Sequence, residues 1–590
     1  MTRKSGLAAA GPAFAALMSA LALSSSPASL SAQDLSWPQW GRTPQHVGAA
    51  SVTAQPAQTI LAEILYDPLV EAMKADNDGE LLAHYPVPLV DAAGDVYMAF
   101  KTGFYSGFGS WGSITWNVRK LRRNGSGFDT VWTFVSDWKP VPLEVAGWEP
   151  VFQAAISGHD LYVPGLGGTV FRVNTANGES EARVNPFSSV DDDRYVAGGL
   201  AVAPDGAVIY NVLEASGSNP VQSTGAWLVR VEPEGGATRV DYATLVSGAP
   251  SASADCESPF SRDQRPWPPS PTATPPTVPC GAQRPGINTV PAIAEDGTIY
   301  TLSRAHFSDR YAYLLAVHPD LTPAWSASLR GILNDGCGVL VPIDDSLTGC
   351  RTGAHHGIDP ATNDQPAGRV SDQGTSSPVV LPDGTILVGT STSYNFARGH
   401  LMRFSTAGSA LATYDFGWDI TPAVYSHGGT FSIVIKDNHY FGPSGTSGRY
   451  EITSLTPDLE PEWFFPSTET LDCARDLSGA MLCVDDGAHP EGFEWCVNQP
   501  AVDAHGVSFA GSEDGFLYVL DASGAQRKAL FLDTALGAAY TPVAIAPDGV
   551  VYVQNNGILF AVGSRPFVAA PRSLPGPPPR SPSGTQTVAR

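Results

Sequence analysis

The chain is 590 residues long, 43% hydrophobic and 16% charged, with 34 basic against 58 acidic residues and a net charge of -24. That length and apolar content supply a large core, and the charged share falls below the usual level of about 25%. The acidic balance excludes a nucleic-acid partner, because phosphate binding demands clustered Lys and Arg and only residues 119–123 are locally basic.

Residues 1–32 read as an export signal. Arg3 and Lys4 give a charged start, residues 7–23 are apolar and Ala-rich, and a small-residue stretch ends at Ala32. The apolar run is short for a membrane span, no later segment is long enough for one, and no Cys lies near the cleavage region to carry a lipid. The expectation is an exported protein, periplasmic or extracellular, with no transmembrane segment. Residues 33–80 form an entry segment containing Trp37-Pro38-Gln39-Trp40-Gly41.

From 81 to 563 a phrase recurs: a Pro, a few apolar residues, a turn of the Asp-Gly type, then an apolar run ending in Tyr or Val. It begins near Tyr85, Glu149, Gly198, Thr289, Ser377, Thr421, Gln499 and Thr541. Gly supplies the positive φ a tight hairpin needs and Asp tolerates the neighbouring turn positions, so each phrase predicts two short strands. Third strands with a turn and a Trp follow in two units, from Leu315 to Trp325 and from Ser454 to Trp463. Such a unit cannot bury its own faces, so neighbours must stack, which favours a closed ring. The prediction is an all-β, eight-bladed β-propeller with loop insertions, seven blades being the alternative. Eight blades need about 320 to 360 residues. The surplus falls into insertions at 251–286, 331–373 and 464–497, and the Pro-rich tail 564–590, with no apolar period, is expected to be disordered.

The seven cysteines contain no CxxC or CxxCH, which argues against zinc ribbons and attached haem. Cys256 with Cys280 would close the Pro-rich insertion and Cys337 with Cys350 a second, each gaining mainly through the unfolded state. Cys473 with Cys483 is the weaker preference, across the turn Leu477-Ser478-Gly479-Ala480. One thiol is left over.

No segment carries a catalytic signature: there is no GxSxG, HExxH or P-loop. Asp76-Asn77-Asp78-Gly79-Glu80 has a calcium-loop look, but the EF-hand register places Lys74 at the first ligand. His355-His356 lacks spaced acidic or Cys partners, so no metal site is predicted. One constellation stands out. Trp148-Glu149, Trp418-Asp419 and Glu494-Trp495 each precede an innermost strand, at the mouth of the central channel. Aromatic faces beside carboxylates suit a sugar ring or a cation, making these six residues the candidate ligand site; the competing reading is that each Trp wedges between blades.

With the entry phrase followed by Gln45-His46-Val47-Gly48, and blade turns such as Leu520-Asp521-Ala522-Ser523-Gly524, the chain resembles the quinoprotein-dehydrogenase-like eight-bladed propellers. That superfamily includes PQQ-dependent alcohol dehydrogenases and non-catalytic relatives such as the outer-membrane assembly lipoprotein. Its usual Thr-Gly followed by a docking Trp survives only in part: residues 173–178 lack the Trp, while Trp325 and Trp463 arrive without Thr-Gly. Catalytic members hold PQQ beside calcium, often under a disulfide between adjacent cysteines, and no adjacent Cys pair exists here. The resemblance therefore implies a binding or scaffolding propeller with a protein, saccharide or small-molecule ligand and no predicted cofactor. The alternative is an enzyme of the same fold, PQQ-dependent or polysaccharide-active.

Overall fold

The computed structural model describes residues 36–565, apart from 82, 147–149, 396–397, 442–446, 477–478, 486 and 535–538. Eight antiparallel blades follow one another, spanning 89–136, 155–184, 194–241, 292–328, 379–414, 423–466, 501–531 and 544–563; seven are four-stranded, and the fourth gains a fifth strand from Gln283–Pro285. Blade 8 takes its outer strand from the other end of the chain: Thr59–Leu65 pairs antiparallel with Ile558–Gly563. The ring thus closes only when both ends have folded. Blade 4 shows how burial runs outward. Ala292–Ile293, Ile299–Ala305 and Ala312–Val317 are buried throughout, while the outer strand Pro323–Ser328 is half-exposed. Strands covered by a neighbouring blade on each face read as continuous apolar runs, which is why period-2 alternation is weak in the sequence.

The docking tryptophans work between blades rather than within one. The Trp132 indole N–H, in blade 1, donates to the Thr175 carbonyl of blade 2 at 3.1 Å; Trp325, in blade 4, donates to Thr406 of blade 5 at 2.8 Å; Trp463, in blade 6, donates to Ala522 of blade 7 at 3.1 Å. Each ring lies against the turn glycine of the next blade. A Cβ at Gly178, Gly408 or Gly524 would fall within 2.8 Å of an indole carbon. Sequence order separates the Trp from its Gly by a blade, and the fold reunites them.

The entry segment circles the axis, bonding the innermost strands in blade order. Trp37 N–H donates to Val90 O at 2.8 Å, and then the inner-strand amides donate inward: Ile156 to Pro38 O at 2.8 Å, Ile293 to Pro44 O at 2.7 Å, Val380 to Gln45 O at 3.0 Å, Val424 to Val47 O at 2.7 Å and Val502 to Gly48 O at 3.0 Å. In blade 3, Val202 N–H donates to Gln39 Oε1 at 2.6 Å. Inner-strand edges would otherwise leave buried backbone groups without partners. A Cβ on Gly41, whose φ is 65°, would sit 2.3 Å from the His46 Cα, so only glycine makes this turn.

The insertions are tied down covalently. Cys256 is bonded to Cys280, Cys337 to Cys350 and Cys473 to Cys483, leaving Cys496 as a buried thiol. The Pro-rich insertion is packed rather than loose. Trp267 is buried and its carbonyl accepts from Arg351 N–H of the next insertion at 2.7 Å. Buried ion pairs join these insertions to blade 4: Arg310 with Asp359 at 2.5 Å, and Arg284 and Arg304 with Asp372 at 2.6 and 2.9 Å. No helix among the described residues is long and apolar enough to cross a membrane.

Candidate functional site

The entry segment bonds the turn end of each inner strand, so the start of those strands faces the other end of the channel. There residues beside the repeat prolines tie one blade to the next. Val290 N–H donates to Ser377 Oγ at 3.0 Å, Ser377 N–H to Thr421 Oγ1 at 3.3 Å, Thr421 N–H to Asn498 O at 2.8 Å and Val543 N–H to Gln499 O at 3.2 Å. Gln554 Nε2 returns to Pro86 O of blade 1 at 2.8 Å. The entry segment reaches the same residues from below, through Trp40 Nε1 to Thr421 Oγ1 at 3.2 Å and Gly41 N–H to Gln499 Oε1 at 2.9 Å.

Above this ring lies a cluster of buried ionisable groups. Asp419 has no solvent exposure and the left-handed φ of 48°, a conformation Asp tolerates better than most residues. Its Oδ2 lies 3.1 Å from His84 Nε2, and its Oδ1 accepts from the Thr375 N–H and hydroxyl, both at 2.6 Å. Burial alone would raise its pKa; the charges of His84 and Lys436 and these hydrogen bonds overcome that and hold it at about 2. Lys436 is itself pushed down by burial, against the pull of Asp419, Cys496, Glu494 and Glu513.

Glu494 accepts from the Tyr440 hydroxyl at 2.9 Å and is raised by burial. Glu513 is raised well above the carboxylate range by burial and by Glu494, and contacts the Cys496 thiol, which burial also pushes up. Burial thus favours the protonated form of both glutamates, more strongly at Glu513 than at Glu494.

The candidate ligand residues part company here. Trp148 and Glu149 lie outside the described residues. Asp419 and Glu494 belong to the cluster. Trp495 does not face the channel: it is fully buried, with its ring 5.0 Å from Tyr518 and 5.9 Å from Phe465. Trp418 is half-buried in a narrow gap with Arg369, Ser391 and Gly374. The Trp495 ring thus packs between Phe465 of blade 6 and Tyr518 of blade 7. Sequence reasoning missed His84, Thr375, Lys436, Cys496, Asn498 and Glu513. Asn498 and His84 stand just ahead of a repeat phrase; Lys436 shows only as a cation in an apolar strand.

No family model matches the chain, and no curated protein matches it. Solved structures do. A quinohemoprotein alcohol dehydrogenase from Comamonas testosteroni aligns at 13% identity over 92% of this chain and 83% of that one, with a TM-score of 0.50. The chain has the eight-bladed propeller fold of the quinoprotein alcohol dehydrogenases. A second such enzyme, from Pseudomonas putida HK5, aligns at 12% identity over 93% and 84% of the two chains with a TM-score of 0.48. BamB from Moraxella catarrhalis aligns at 11% over 86% and 99%, with a TM-score of 0.40. At these identities the likeness speaks for the fold alone.

The fold family implies a quinone at the channel, where the Asp419 carboxylate is already engaged by this chain's own groups. The hollow beside His84 and Phe152 offers about 10 Å³, room for a single water. Asp419 already places both carboxylate oxygens on His84 and Thr375. Among the described residues no group of three or more His, Cys, Asp or Glu side chains is arranged to hold a metal ion.

Proposed function

We propose that this protein is an exported binding propeller that works without a quinone cofactor. The observation that carries this reading is that the groups along the channel bond to this chain's own atoms. The entry segment bonds inner strands of seven blades at one end, and at the other Asp419 accepts from Thr375 and lies against His84, which borders a water-sized hollow. Three disulfides on the insertions support export, since such bridges persist in oxidising compartments. Recognition then falls to the outer surfaces and to the clefts between blades. The test is turnover: purified protein supplied with PQQ, calcium and an electron-accepting dye is expected to oxidise no member of a panel of alcohols and aldehydes. Saturable turnover above the protein-free rate would overturn the reading. The raised carboxyls Glu494 and Glu513 favour a second reading, acid–base chemistry on a hydroxylated substrate. Polysaccharide cleavage lost in both Glu494→Gln and Glu513→Gln would establish it.

A further inference from the structure

The docking Trp normally stands over a filled gap. In blade 1, Trp132 packs on Tyr97 with ring centroids 5.6 Å apart, and Lys120, the residue between them in the ladder, lies over the Tyr97 ring. In blade 4, Trp325 approaches Tyr300 at 6.0 Å. The strand registers place Val434 and Ser454 at the same positions of blade 6: Ala423 faces Val434, Val434 faces Ser454, and Ser454 faces Trp463. Valine takes the tyrosine's place, serine stands where blades 1 and 4 carry Lys120 and Ala316, and beside them a cleft of about 290 Å³ lies between blades 6 and 7. That is close to the lower end of small-molecule sites, about 300 Å³.

The inner hairpin of blade 6 forms the opposite wall. Its first strand, Ala423–His427, continues past the two-residue length of its counterparts in blades 5 and 7 and turns at Gly428-Gly429. This brings Tyr425 and His427 to the cleft, their rings stacked at 4.9 Å with 23° between planes. His427 Nε2 lies 2.9 Å from Ser432 Oγ, and Tyr425 is held against Gly506 of blade 7, where a Cβ would come within 2.5 Å of its ring. Glu462 accepts from Ser454 at 2.7 Å and keeps its other oxygen available at the rim.

We propose that this cleft is a saccharide-binding site. Planar aromatic walls meet the apolar face of a pyranose ring, while the Glu462 carboxylate and the serine and histidine edges exchange hydrogen bonds with its hydroxyls. No Lys or Arg lines the cleft, so nothing there attracts an anionic ligand. The site rests on the binding-propeller reading but lies away from the channel, so the quinone assay and this proposal fail independently.

The test is saturation-transfer NMR on the full chain with glucose, galactose, N-acetylglucosamine, cellobiose and maltose, and with tetramethylammonium and putrescine as a cationic arm. The expected result is transfer to at least one saccharide, abolished by Val434→Tyr, which refills the gap with the residue of blades 1 and 4, and weakened about tenfold by Tyr425→Ala. Glu462→Gln, at an exposed position, carries the test even if the core variant fails to fold, and is expected to reduce affinity. Transfer to none of the saccharides, to the cations alone, or unchanged transfer in Glu462→Gln and Tyr425→Ala would overturn the proposal.

Discussion

Trp40 is the residue on which the closed channel depends most visibly. It is 1% exposed and its indole N–H donates to Thr421 Oγ1 at 3.2 Å, across a sequence gap of 381 residues. Trp40→Ala removes a whole buried indole, an expected loss of about 3 to 5 kcal/mol. Trp40→Phe keeps most of the packing and gives up chiefly that hydrogen bond, an expected loss of about 1 kcal/mol, because Thr421 Oγ1 still accepts from Ser377 N–H. Guanidinium titrations at pH 7 measure both as shifts in midpoint at constant slope. Amide exchange locates the damage: Val380, Val424 and Val502, whose N–H groups bond Gln45, Val47 and Gly48, should lose protection together in Trp40→Ala. If that variant loses under about 1 kcal/mol and those three amides exchange as before, the entry segment is a passenger and the closed-channel argument fails.

Asp514 offers a pH test. It is buried, and burial pushes its pKa up to about 6 from 3.8 even though Tyr518 and the Phe516 N–H bond it at 2.6 and 2.9 Å. The native state then binds more protons than the unfolded chain between about pH 4 and 6. Stability is lost as pH rises through that window, by about 3 kcal/mol at this site. Asp514→Asn should abolish that loss, and parallel stability-pH curves for the two proteins would refute the assignment. The bridge Cys337–Cys350 closes a separation of 13 residues, for which about 3 kcal/mol is expected. The paired Ser variant should melt several degrees lower in the absence of reductant, and an unchanged melting temperature would show that the insertion holds its shape without the bond.

The ring was legible because its information is local. Each Gly-containing turn and each apolar run lies within about a dozen residues, and the eight phrases mark the eight inner hairpins. The docking pairs were only half visible, since Trp463 stands 61 residues before Gly524 and nothing in either segment names the other. The entry phrase could be recognised but not explained: its bonds run to seven blades spread from Val90 to Val502. For the same reason Asp419 was a visible candidate while His84, 335 residues away, was not. Trp495 misled because a Trp beside a carboxylate reads alike whether the ring faces the axis or a neighbouring blade. The cleft beside Trp463 was hidden in a substitution, Val434 for tyrosine, whose meaning depends on knowing which strand positions correspond.

The central claim is that the groups along the channel bond to the protein's own atoms and that the channel takes no quinone. Calorimetric titration of PQQ into the purified chain with millimolar calcium tests this most directly. The account predicts no saturable heat and no change in thermal stability; one-to-one binding that displaces the entry segment, or that Asp419→Ala abolishes, would contradict it.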